Sequence, residues 1–126
     1  MNTFDKLVMF SMAVSDMVQA KDFYANKLGF RITTDYRQDD NNWWLSLELP
    51  GGGTSFTLTT AVKNMKPGTM KLYLSTPDIQ NAYQQLTTNG VKLTSEIRDD
   101  LYGPGSGIKW FSFDDPDGNQ WIVLQP

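Results

Sequence analysis

The order of hydrophobic patterns in this chain occurs twice. Met17, Ala20 and Tyr24 lie on one helical stripe, and Ile79, Ala82 and Leu86 repeat it 62 positions later. Trp44-Leu45-Ser46-Leu47 is answered 66 positions on by Trp110-Phe111-Ser112-Phe113. A pattern that returns at a near-constant offset marks an internal duplication, so each copy has to be a self-consistent unit of secondary structure. With 126 residues, 40% of them hydrophobic, there is material for one domain built from two small modules.

Each copy reads as a strand, a helix and three further strands. In the first, residues 6–14 are predominantly apolar and read as a buried strand. Asp16, with Gln19 three residues on, has the capping-box spacing, and Met17, Ala20, Tyr24 and Leu28 carry the helix to a stop at Gly29. Strands are expected at 30–36, 43–49 and 55–60, the last two separated by Pro50-Gly51-Gly52-Gly53. In the second copy a strand at 70–75 leads to Thr76-Pro77, read as an N-cap with proline at the first helical position. Its helix ends at Asn89-Gly90, and strands are expected at 92–98, 109–113 and 120–124. The expected fold is therefore α+β: two tandem βαβββ modules in a single domain spanning 1–126, with module one at 1–60, a linker at 61–69 and module two at 70–126. Each module covers one sheet face with its helix. Pairing the uncovered faces predicts a curved, incomplete barrel around a central cleft, a natural place for a small molecule.

The composition removes whole classes of chemistry. No histidine and no cysteine occur, which excludes disulfides, thiolate catalysis and any nucleophilic triad that needs an imidazole base. A net charge of −3 without a basic stripe argues against nucleic-acid binding. No apolar stretch approaches the roughly 18 residues of a membrane span, and no signal peptide is visible, so a cytoplasmic protein is expected.

The segments "DMVQAKDFYANKLGF", "KLYLSTPDIQNAYQQL" and "FSFDDPDGNQWIVLQ" resemble the glyoxalase / bleomycin-resistance / extradiol-dioxygenase superfamily over essentially the whole chain. The resemblance implies two βαβββ modules, a cleft between them and frequently a dimer. Metal-dependent members place one ligand on the first and one on the last strand of each module. Here those positions carry Met9, Thr57, Lys71 and Ile122, none of them a conventional ligand for a divalent metal. The expectation is a member with no metal and no other cofactor.

Strand alternation sorts the candidate ligand-binding residues. If Leu45 and Leu47 face the helix, Trp44, Ser46 and Glu48 face the cleft; by the same parity so do Trp110, Ser112, Lys71 and Tyr73. Trp44, Trp110 and Tyr73 are expected either to stack on a planar or cationic ligand or to fill the space between modules. Lys71 and Glu48 are the catalytic candidates: they move a proton, contact a polar ligand group, or form a structural pair in place of the metal. Met9, Ser11, Thr57 and Ile122 complete the wall, whereas Thr59 is read as a half-exposed strand residue. The pairs Asp39-Asp40 and Asp99-Asp100 either steer cations or are solvated loop tips. Tyr102-Gly103-Pro104-Gly105-Ser106-Gly107 is a lid or a hairpin connection, with Tyr102 the candidate contact. Asp115-Pro116-Asp117-Gly118 lacks the further ligands of a calcium loop and reads as a turn.

Three functions are compatible with these residues. The first is a small-molecule-binding protein of the bleomycin-resistance type, holding an aromatic or cationic ligand, with a homodimer as the expected assembly. The second is a metal-independent isomerase or lyase using Lys71, Glu48 or Tyr73. The third is a structural module whose cleft is closed by its own side chains.

Overall fold

A computed structural model describes residues 3–126; Met1 and Asn2, the first two residues of the expected module one, lie outside them. The chain divides into two compact units, Met1–Pro67 and Gly68–Pro126.

The first unit contains β1 (Met9–Ala13), α1 (Met17–Lys21), β2 (Arg31–Asp39), β3 (Asn42–Glu48) and β4 (Ser55–Thr59) in one sheet of order β1-β4-β3-β2. β1 runs parallel to β4, as the intervening helical crossover requires, and the other pairs are antiparallel. The strand expected over 6–14 is shorter and less buried: Leu7, Val8 and Met9 are exposed, and burial begins at Met12. Within its sheet β1 is an edge strand, so only its later residues gain cover.

Asp16 caps α1 as expected, its carboxylate accepting from the Gln19 amide. The helix does not continue in α form to Leu28, however. It widens into a π-helix over Asp22–Lys27, in which the Leu28 amide donates to the Phe23 carbonyl. The extra residue per turn lets the consecutive aromatics Phe23 and Tyr24 both point inward, and Tyr24 meets Phe56 of β4 edge-on. Gly29, at φ 76°, then ends the helix, and the Phe30 amide closes back on the Tyr24 carbonyl.

The second unit contains β5 (Lys71–Ser75), α2 (Ile79–Thr88), β6 (Lys109–Asp114) and β7 (Gln120–Gln125), its sheet ordered β5-β7-β6. The register repeats that of the first. Ser11 lies opposite Thr57 and Thr57 opposite Ser46; Tyr73 lies opposite Ile122 and Ile122 opposite Ser112. The duplication thus extends to individual cross-strand neighbours.

Two expectations are corrected in this unit. The N-cap of α2 is Asp78, whose carboxylate accepts from the Asn81 amide, rather than Thr76. Pro77 restricts Thr76 to extended backbone, so the helix begins after the proline, and the Thr76 hydroxyl accepts from the Asp78 amide instead. The strand expected over 92–98 survives only as isolated bridges, Leu93 with Phe113 and Arg98 with Trp110. Between the Thr94–Ser112 and Arg98–Trp110 bonds one side advances four residues and the other two, so a continuous ladder cannot form. The Ser95 hydroxyl takes over as acceptor for the Ser112 amide.

The Asp115–Asn119 segment is the turn that its sequence predicts, and it also holds the second unit's entry. Asn119 is fully buried; its side chain donates to Asp115 and accepts from the Met70 amide at 2.9 Å. Gly68, at φ +80°, passes so close that a Cβ there would lie 2.1 Å from the Asp117 carbonyl oxygen. Gly68→Ala is therefore expected to destabilise the protein by about 1–3 kcal/mol or more, read as a lowered urea midpoint, because neither backbone can yield cheaply. Among the described residues no helix is long and apolar enough to cross a membrane.

Candidate functional site

Alternation in β3 places Leu45 and Leu47, both fully buried, on the helix-covered side with Phe56 and Leu58. Trp44, Ser46 and Glu48 point the other way, onto the open face of the sheet. Met9, Ser11 and Thr57 share that face by register.

The open face of the first unit has an aromatic part and a hydroxyl part. Trp44 stacks on Tyr36 of β2 with ring centroids 4.4 Å apart and planes 22° apart, while 39% of Trp44 and 48% of Tyr36 remain exposed. Beside them, the Ser46 and Thr57 hydroxyls lie 2.9 Å apart, and the Thr57 hydroxyl donates to the Met9 sulfur at 3.1 Å. Thr57 is buried and Ser11 exposed. Thr59, expected to be half-exposed, is buried because β4 is central in the sheet, and its hydroxyl accepts from the Ala61 amide. Glu48 forms an ion pair with its cross-strand neighbour Arg31.

In the second unit the equivalent face carries Lys71, Tyr73, Ile122, Ser112 and Trp110. Tyr73 is 56% exposed, and the Lys71 ammonium lies 5.9 Å from its ring centroid. Glu48 and Lys71, considered as a possible pair, thus each have a partner within their own unit. Ile122 and Ser112 are buried, and the Ser112 hydroxyl bonds Thr94 at 2.7 Å. Trp110 differs from its counterpart Trp44. It is only half-exposed, and its indole N–H donates to Asp100 at 2.9 Å. Asp100 therefore anchors a side chain, while Asp39 organises the β2–β3 turn through the Asn41 amide and Asp40 pairs with Arg37. Tyr102 is exposed in the connection preceding β6, where turns run from Asp100 to Gly103 and from Gly103 to Ser106.

Sequence reasoning did not single out Tyr36, Arg31 or Asp35. The signal for Tyr36 lay in the hairpin: once 39–42 is taken as the turn, position 36 falls opposite Trp44. On the helix side of the same hairpin, the Trp43 indole N–H donates to Asp35 at 2.7 Å, and Lys21 reaches the other carboxylate oxygen at 2.7 Å. Arg37 lies over the Trp43 ring at 4.4 Å. A cavity of ≈ 280 Å³ beside it is lined by Asp16, Met17, Arg37 and Trp43, and by no open-face candidate.

The hydrogen bond from Lys21, then that from Trp43, holds the Asp35 carboxyl below its ordinary value of 3.8, against the opposing effect of burial. A depressed folded-state pKa stabilises the fold above the unfolded value, and that contribution is lost as pH falls through the folded value. Asp35→Asn is expected to cost about 0.5–1 kcal/mol at pH 7, since the ion pair is partly solvated. The difference from wild type should vanish below the folded pKa, as followed by urea unfolding across pH 2–7.

The residues at the positions that the resemblance assigns to metal ligands do not fit a metal. Met9 and Thr57 converge, as a ligand pair from first and last strands would, but they offer a thioether and a hydroxyl. Lys71 and Ile122 offer an ammonium and a hydrocarbon. Among the described residues no group of three or more His, Cys, Asp or Glu side chains is placed to hold a metal ion.

Fold and site together define a duplicated α+β module protein with open, aromatic-bearing sheet faces. The family model described as glyoxalase/bleomycin resistance protein/dioxygenase superfamily matches residues 6–123, and the chain belongs to that superfamily. A protein of Shewanella frigidimarina (strain NCIMB 400) is 30% identical over 129 residues, covering 94% of this chain and 92% of its own. Among solved structures, TnmS3, an antibiotic binding protein from Streptomyces sp. CB03234, is 30% identical with a TM-score of 0.79, over 100% of this chain and 99% of its own. A superfamily member from Sphaerobacter thermophilus DSM 20745 is 31% identical with a TM-score of 0.81, over 99% and 100% of the two chains.

Proposed function

We propose that this protein binds a small aromatic molecule non-covalently on its open sheet faces and releases it unchanged. The exposed Tyr36–Trp44 stack carries this reading. Two large rings half in water forfeit apolar burial that a flat ligand restores, and the stacked geometry fixes the plane that such a ligand adopts. The hydroxyls of Ser46, Thr57 and Ser11 and the polar groups of Lys71 and Glu48 supply orientation. The likeness to TnmS3 over the full length supports the same class of activity. In this reading Lys71 and Glu48 hold a polar group of the ligand and move no proton.

The test is equilibrium dialysis against planar cationic antibiotics and aromatic acids, with mass spectrometry on both sides of the membrane. Unchanged ligand accumulating with the protein is the expected result. Disappearance of a compound with appearance of a new mass that Lys71→Met abolishes would replace sequestration by proton-transfer catalysis. The assembly in this reading is a homodimer, supported by the exposed apolar side chains Phe4, Leu7, Val8 and Met9. Sedimentation at micromolar concentration is expected to give twice the chain mass.

A further inference from the structure

We infer that Asp35 is a positioning residue for the binding face: by clamping Trp43 on the helix side of the sheet, it presets the stack of Tyr36 on Trp44 on the open side. The inference rests on the binding reading above, but its structural part is testable without a ligand.

The β2–β3 ladder is irregular at two places, between Ile32 and Thr34 and between Arg37 and Asp39. Only Thr34–Arg37 is paired without interruption between them, with Tyr36 opposite Trp44 in its middle. β2 is also an edge strand of its sheet, so no neighbour on its far side within that sheet enforces register. A slip of one residue would carry Tyr36 to the wrong face. What pins this short segment is the neighbouring pair on the opposite face. Asp35 accepts the Trp43 indole N–H, Arg37 covers the same ring, and Lys21 ties Asp35 to α1. The Trp43 backbone is fixed from its other neighbour, accepting from the Thr60 amide and donating to the Thr60 hydroxyl. With residues 35, 37 and 43 held, the alternating residues 36 and 44 retain little beyond side-chain torsions. The stack is then formed before a ligand arrives, and binding avoids the cost of ordering it.

The experiment compares Asp35→Ala, which removes the acceptor, with Asp35→Asn, which keeps an acceptor for the indole. The first readout is the near-ultraviolet circular dichroism of the stack, taken as the spectrum with Tyr36 minus that of Tyr36→Ala in each background. The second is affinity for acridine orange, a planar tricyclic cation. Asp35→Ala is expected to lose most of the stack signal and to bind about five-fold more weakly, whereas Asp35→Asn retains both. In a Trp44→Ala background, Asp35→Ala should weaken binding no further. Should Asp35→Ala fail to fold, Trp43→Phe removes the indole N–H together with the pyrrole part of the ring while keeping an aromatic ring beneath Arg37, and is expected to give the same loss. A full stack signal in folded Asp35→Ala or Trp43→Phe protein overturns the inference, as does a loss in Asp35→Asn equal to that in Asp35→Ala. If wild-type protein ignores acridine orange and every other planar ligand, the binding reading falls, and the stack signal alone decides the role of Asp35.

Discussion

Asn119→Ala is expected to be among the most destabilising single substitutions in this chain, costing about 3 kcal/mol and lowering the thermal midpoint by roughly 10 °C. Asn119 has no solvent exposure, and both ends of its amide are engaged. Nδ2 donates to one Asp115 carboxylate oxygen at 2.7 Å, while its own backbone amide donates to the other at 2.8 Å. Oδ1 accepts the Met70 amide, immediately before β5. Alanine leaves the partly buried Met70 N–H without its acceptor and strips one donor from the Asp115 carboxylate, which is itself buried. A buried unmatched group costs more than the bond it lost was worth, and a charged one more again. Asn119→Asp should be worse still, because it sets a second carboxylate against Asp115 and removes the donor. Differential scanning calorimetry checks both, and a midpoint within a degree of wild type for Asn119→Ala would mean that the Met70 link carries no weight.

The Asn119 link also separates what the sequence makes legible from what it hides. That Asp115–Gly118 forms a turn is readable locally, because Asp, Pro and Gly carry their backbone preferences with them. That Asn119 holds Met70, 49 residues earlier, is not, since nothing in either segment announces the other. The same division runs through the fold. The parity of β3, with Leu45 and Leu47 inward and Trp44 and Ser46 outward, follows from a period of two and is found as expected. The π-helix at Asp22–Lys27 does not follow from local pattern; it accompanies the burial of two adjacent aromatics, Phe23 and Tyr24, the latter edge-on to Phe56. The failed strand at 92–98 looks like its neighbours in composition; only the two-residue surplus against β6 breaks it. On the candidate site, which face each residue occupies was legible, but its partner was not. Glu48 finds Arg31, Trp110 finds Asp100 and Trp44 finds Tyr36 through register, and register depends on exactly where the bulges fall.

The two equivalent tryptophans should therefore respond differently to truncation. Trp44→Ala is expected to weaken binding of an aromatic ligand by about 2 kcal/mol, roughly thirty-fold, because an exposed, pre-stacked indole acts as an anchor. Its effect on stability should be the smaller one, since its stacking partner Tyr36 is itself half-exposed. Trp110→Ala should invert that profile. Its indole N–H is committed to Asp100, so truncation leaves that carboxylate without its donor and loosens the connection into β6. We expect a loss of about 2 kcal/mol in stability and no more than a few-fold change in affinity. Isothermal titration with the ligand found by dialysis, together with urea unfolding of both variants, measures the two quantities independently. Should Trp110→Ala abolish binding while Trp44→Ala leaves it intact, the ligand sits on the second sheet's face, and Tyr73 rather than Tyr36 becomes the ring that stacks on it.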